Sequence, residues 1–187
     1  MSSAPGDAEV VAATRRWIER AVIGLNLCPF ARAPYVGDRV RIVVSPARDE
    51  EALLVDLCEE LQRLAVTDEA QVETTLLVHP QVLGDFLDFN DFLDLADAAL
   101  VQMNLEGELQ VASFHPDYRF ADVPADDPAN CTNRSPFPTL HLLREASIER
   151  AVDAVEDTDA IYLRNVERLR ALGREGWEAL WREGTEG

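Results

Sequence analysis

From about Asp7 the apolar positions Val10, Trp17, Ala21, Leu25 and Cys28 fall at spacings of three, four and seven. Arg15, Arg16, Glu19 and Arg20 occupy most of the opposite side. That period predicts an amphipathic helix, closed by Pro29, which disfavours helical geometry in the residue before it. Ala31 to Asp38 holds Pro34 and Gly37 and reads as a loop. The pattern then changes. Val40, Ile42, Val43 and Val44 are β-branched, so Arg39 to Ser45 reads as a strand that Pro46 stops. A stripe of Leu53, Leu54, Leu57, Cys58, Leu61 and Leu64 predicts a helix from about Asp49 to Val66. Val72 to Val78 is the next expected strand, stopped at His79-Pro80. Asp88 to Leu105 is expected as a helix with Phe92, Leu93, Ala96, Leu100 and Met103 inward, capped by Gly107. Glu108 to Phe114 is a further strand, stopped at His115-Pro116.

The stretch 115–138 breaks this rhythm with Pro116, Pro124, Pro128, Pro136 and Pro138. A loop of that length inside a domain is usually functional or disordered. Its aromatics Tyr118, Phe120 and Phe137 favour a packed loop. A helix is expected from Pro138 to about Val155, since proline suits a first helical turn. Two shorter helices follow, about Thr158 to Leu172 and Arg174 to Arg182, separated by Gly173. Trp177 and Trp181 sit at i and i+4, so they share a face that would dock the tail. Strands alternating with helices define an α/β class. The expectation is a single layered domain over residues 1–187. It has a loose N-terminus (1–6), an α/β core (7–155) containing the long loop, and C-terminal helices (156–187). Its small sheet has at least three strands joined by crossover helices, with neighbouring strands parallel. A fourth strand could lie in the long loop.

Composition narrows the chemistry. The 187 residues carry 35 acids against 17 bases, for a net charge of −18, and every one of those bases is arginine. Such a charge repels phosphate backbones and anionic membranes, so neither nucleic acid nor membrane is an expected partner. Without lysine there is no Schiff base for pyridoxal phosphate and no P-loop nucleotide site. Arginine does not substitute in either, because it stays protonated. No G-x-G-x-x-G and no G-x-S-x-G occurs, which argues against a Rossmann dinucleotide site and a hydrolase elbow. The three cysteines, Cys28, Cys58 and Cys131, form no C-x-x-C pair, so neither a zinc ribbon nor a disulfide framework is expected. No basic-then-apolar leader opens the sequence, and a reducing cytoplasm is the expected compartment.

Three segments concentrate candidate chemistry. Gly24 to Ala31 holds Cys28, which could act as a nucleophile, a metal ligand or, with Pro29, a haem ligand. A helix C-terminus disfavours a thiolate, so a buried core thiol is the expectation there. Ser113 to Phe120 follows a strand's carboxyl end, where α/β sheets gather ligands. There His115 and Asp117 could pair as acid–base and orienting groups, with Tyr118 and Arg119 lining the site. Asn133 to Glu145 would set Arg134 before the helix start at Pro138, an anion site built from free N–H groups and a bidentate donor. His141 and Arg144 would share neighbouring faces of that helix. His79 follows its strand as His115 does. A divalent metal held by His79, His115, Asp117 and His141 is therefore an alternative, although the spacing matches no ligand motif. The run Asp85, Asp88, Asp91, Asp94 and Asp97 drifts around a helix by about 60° per step and reads as solvated.

These three segments together resemble the hallmark stretches of domain-of-unknown-function family 1415, an uncharacterised bacterial family. The resemblance runs from about Val10 to the helix expected after Pro138. It implies a soluble single-domain protein and brings no reaction, cofactor or catalytic residue with it. The sequence expectation is an enzyme acting on a small anionic metabolite. Arg134, Arg144, Tyr118 and Arg119 would hold the substrate, and His115, Asp117 and His141 would supply acid–base chemistry. A metal-dependent version of that enzyme is one alternative. Others are a non-catalytic ligand-binding module and a protein-interaction or homo-oligomeric module using the acidic surface and the Trp-bearing tail.

Overall fold

Three aspartates start three of the helices. A computed structural model describes residues 5–155 and 157–180. In it Asp49 accepts the Ala52 N–H at 2.8 Å, Asp85 the Leu87 N–H at 2.8 Å and Asp157 the Asp159 N–H at 3.0 Å. Each carboxylate meets amide donors that a helix start leaves without partners. The elements run α1 (Asp7–Trp17), α2 (Arg32–Val36), β1 (Val40–Val44), α3 (Glu50–Val66), β2 (Thr74–Val78), α4 (Phe86–Gln102), β3 (Leu109–Phe114), β4 (Thr139–Arg144), α5 (Glu145–Asp153) and α6 (Thr158–Ala179). Residues 1–4 of the expected loose N-terminus, and Trp181 and Arg182 of the expected last helix, lie outside the described residues.

The sheet order is β1-β2-β4-β3. β1 and β2 are parallel, while β4 lies antiparallel between β2 and β3. The expectation of parallel neighbours therefore holds for one pair only. The fourth strand lies just beyond the long loop, where a helix from Pro138 is expected. Leu, Arg, Glu and Ala after Pro138 are good helix formers, but pairing on both edges overrides that preference. Leu140 and Leu142 are fully buried on one face, and His141 points to the other. A strand covered on both faces shows little polar alternation, which hid it in the sequence. The helix begins only at Glu145.

One face of the sheet packs on α3 and α4 through Leu77, Leu140, Leu142, Leu57, Leu61 and Phe89. The other packs on α1 and α6 through Leu76, Trp17, Ala21, Leu169 and Trp177. Two departures from the expected helices bear on later points. The first helix does not run to Cys28. It widens into a π-helical segment, Ile18–Ile23, and then turns. Gly24 is required at that turn, because a Cβ there would sit 2.3 Å from the Arg20 carbonyl oxygen. Cys28 is consequently exposed rather than buried in the core. The second departure is at Gly173, whose φ of 67° interrupts α6 and redirects its last residues, Arg174 onward. Glycine tolerates that conformation without steric cost. Among the described residues no helix is long and apolar enough to cross a membrane.

Candidate functional site: a mixed-charge cleft on the sheet rim

β2 and β3 both run antiparallel to β4, so their carboxyl ends share one rim. His79 and His115, the residues just past those ends, are both fully buried. Both rings pack against Phe89, with centroids 5.6 and 5.1 Å from it. Both histidines hold the loop that leads into α4. His79 Nδ1 lies 3.0 Å from the Val82 carbonyl, and a carbonyl only accepts, so Nδ1 carries the proton. His115 Nδ1 accepts the Asp117 N–H at 3.0 Å, which leaves the proton on Nε2 to donate to the Leu83 carbonyl at 3.1 Å. Burial lowers the pKa of His115 and pulls His79 down to about 4. Both nitrogens of His115 are thus engaged in holding backbone, and the acid–base role expected of it finds no free nitrogen.

His141 is not brought to this place. It lies on β4 facing the α1/α6 side, 5.8 Å from the Phe114 ring, and burial holds it at about 4. The Thr74 hydroxyl donates to the Leu142 carbonyl at 2.6 Å, so its oxygen accepts from His141 Nε2 at 2.8 Å. Arg144 is also elsewhere. One terminal nitrogen reaches the Leu64, Thr67 and Val72 carbonyls at 3.0, 2.7 and 2.8 Å, around the C-terminus of α3. The expected anion site at a helix start after Pro138 does not form, because β4 occupies that stretch. The sheet separates His141 from His79 and His115, so the four-residue metal set does not converge. Among the described residues no three His, Cys, Asp or Glu side chains gather as a metal site needs. The aspartates 88, 91, 94 and 97 are exposed, as their helical drift predicts.

Arg134, Arg119 and Asp117 do come together, in a cleft of about 470 Å³ above the rim. The long loop forms much of its wall and is built from internal hydrogen bonds. Asn130 accepts the Phe120 N–H at 3.0 Å and donates to the Pro124 carbonyl at 2.8 Å. Arg134 fixes two more points, with Nε donating to the Tyr118 carbonyl at 3.2 Å and a terminal nitrogen to the Ala125 carbonyl at 3.1 Å. Tyr118 itself packs its ring against Phe86 and Phe120, at 5.2 and 5.1 Å. Its contribution to the site is the carbonyl that orients Arg134, not the expected side-chain contact. Asp127 caps the short 3-10 helix Pro128–Asn133 and pairs with Arg170 of α6 at 2.9 Å. That pair ties the loop to the helix opposite.

The remaining lining was not anticipated. It comprises Gly84, Asp85 and Phe86 at the start of α4, Asp126 and Cys131 of the loop, and Arg174, Trp177 and Glu178 of α6. Cys131 is buried, and burial raises its thiol pKa. Arg134 and Arg174 both lie close enough to pull it back down. Asp85 and Asp117 lie close enough to His115 to act on it. Cys131 thus has Arg134 and Arg174 near it and His115 has Asp85 and Asp117, while Arg119, Asp126 and Glu178 also line the cleft. One sequence signal could have pointed to Arg174. It follows the breaker Gly173, so its cation opens a helical turn, where the dipole disfavours positive charge.

The layered sheet and this cleft define an α/β protein with a mixed-charge pocket at the strands' carboxyl rim. The chain belongs to domain-of-unknown-function family 1415. That family's model, described as a protein of unknown function (DUF1415), matches residues 9–179. No curated protein and no solved structure matches the chain.

Proposed function

We propose that the protein binds a small anionic metabolite in the rim cleft. The observation that carries this reading is the convergence of Arg119, Arg134 and Arg174 on one cavity, in a chain whose net charge is −18. The cleft also holds Asp85, Asp117, Asp126 and Glu178, so its attraction for an anion is local to the guanidiniums, and arginine matches carboxylate and phosphate with two parallel donors. Arg134 is already oriented by two backbone carbonyls, so little freedom is lost when a ligand docks. Among the described residues Arg119 and Arg174 carry no hydrogen bond or ion pair, which leaves their donors for a ligand. Of the acid–base groups expected, Asp117 reaches the cleft, so binding is the better supported half of the enzyme reading. The same proposal takes the protein as cytoplasmic and bacterial. Its three unpaired cysteines suit a reducing compartment, and its charge disfavours nucleic acid.

The test is a thermal-shift screen of carboxylated and phosphorylated metabolites, with inorganic phosphate as the simplest probe. At least one anion is expected to raise the Tm of the wild-type chain. Arg174→Gln and Arg119→Gln are each expected to weaken its binding by about tenfold, as loss of a charge-assisted contact does. Equal responses from wild type and both variants would sink the reading, and so would a panel without a single stabilising anion.

A further inference from the structure

The charges in the cleft are of both signs. Three arginines face four carboxylates, Asp85, Asp117, Asp126 and Glu178. Arg134 and Arg174 stand around Cys131, whereas Asp85 and Asp117 stand around the His115 ring at the start of α4. The backbone fixes these four positions. Gly173 redirects the end of α6 and brings Arg174 to one side. The His115 and His79 bonds to the Val82–Leu83 backbone set the start of α4, and Asp85 with it, on the other. The Asp117 N–H is itself bonded to His115, so that side chain leaves from a fixed point.

Such a lining suits few ligands. A polyphosphate would bring several negative charges against guanidiniums that the neighbouring carboxylates already offset. A simple monoanion would satisfy the arginines but bring like charge beside the exposed Asp85 and Asp117 carboxylates. A molecule with an anionic and a cationic end satisfies both. Resting on the anion-site reading above, we infer that the ligand is a small zwitterion, an α-amino acid or another ammonium-bearing carboxylate. Its carboxylate meets Arg134 and Arg174, and its ammonium meets Asp85 and Asp117. The buried Trp177 ring lies along the same wall and offers an apolar surface to whatever joins the two ends.

The experiment compares matched probes on the full chain by calorimetry. The probes are the common α-amino acids, the same carbon skeletons as carboxylates without the amino group, and as amines without the carboxylate. An amino acid is expected to bind at least about tenfold more tightly than either truncated partner, the size of one lost charge-assisted contact. Asp117→Asn removes charge without touching the backbone bond to His115. It is expected to lower affinity for the amino acid about tenfold and leave the des-amino carboxylate unchanged, while Arg174→Gln lowers both. Circular dichroism establishes that each variant is folded, and Arg119→Gln serves in place of Arg174→Gln if that variant is not. A des-amino carboxylate that binds as well as its amino acid, and is lost in Arg174→Gln, would overturn the zwitterion inference and leave the anion site standing. Binding of neither class, or binding indifferent to the arginine variants, would overturn both.

Discussion

His79 and His115 show how a histidine at the end of a strand can serve the site without entering it. Each gives its one proton to a carbonyl of the loop before α4, and each is held neutral by burial. That arrangement has a pH signature. The folded pKa of His79, about 4, lies below the ordinary value of 6.5, so the native state refuses a proton that the unfolded chain accepts. The contribution to stability is full above pH 6.5 and falls as the pH drops through the interval from 6.5 to about 4. For His79 the loss is about 3 kcal/mol across that interval. His115 and His141 are shifted the same way and add in the same direction. Urea midpoints measured between pH 7 and pH 4.5 should therefore fall. The slope should be shallower in His79→Asn, whose amide can still donate to Val82 and takes up no proton. A flat profile in wild type would contradict the neutral clamp.

At the scale of elements, Arg144 joins β4 to the end of α3. The Leu64 and Thr67 carbonyls belong to the end of that helix and the Val72 carbonyl to the segment leading into β2, and one guanidinium nitrogen meets all three. Arg144→Met keeps the stem and removes the donors. It should cost about 2–3 kcal/mol in chemical denaturation, while ligand response in the cleft stays unchanged, the opposite of what a substrate-binding arginine would show. This element also marks the limit of what the sequence revealed. Strands β1 to β3 and helices α3 and α4 were legible because their periods are clean and Pro46, His79-Pro80 and His115-Pro116 punctuate them. β4 was not, because Leu140, His141, Leu142 and Leu143 carry the residues of a helix and face core on both sides. A helical reading of that stretch puts His141 and Arg144 on one shared surface. On a strand, residues three apart point to opposite faces. Arg134, Arg119 and Asp117 were legible because they sit in a long loop after a strand's carboxyl end, where the rule for α/β sheets places ligands. Arg174 and Asp85 were not, since only tertiary packing brings them to that loop.

Over the whole molecule, 35 acids and 17 arginines leave a surface that repels itself. Folding concentrates that charge, so screening should favour the folded state. Raising salt from about 10 mM to about 150 mM shortens the screening length from about 30 to about 8 Å. A Tm gain of about 2–4 °C is expected, the shift that about 1 kcal/mol produces in a chain of this length. Arg174→Gln should gain as much, which separates screening from anion binding in the cleft. The order of the sheet has a consequence of a different kind. β1 and β2 can pair as soon as both exist, but β3 finds no neighbour until β4 has been added after the long loop. A ribosome makes the chain from its N-terminus, so β3 must wait, with both edges open, while 115–138 and then β4 are completed. Unpaired strands of this kind are the ones that aggregate. The acids massed through α4 and the long loop surround the waiting strand and give a nascent chain the mutual repulsion that keeps it apart from its neighbours.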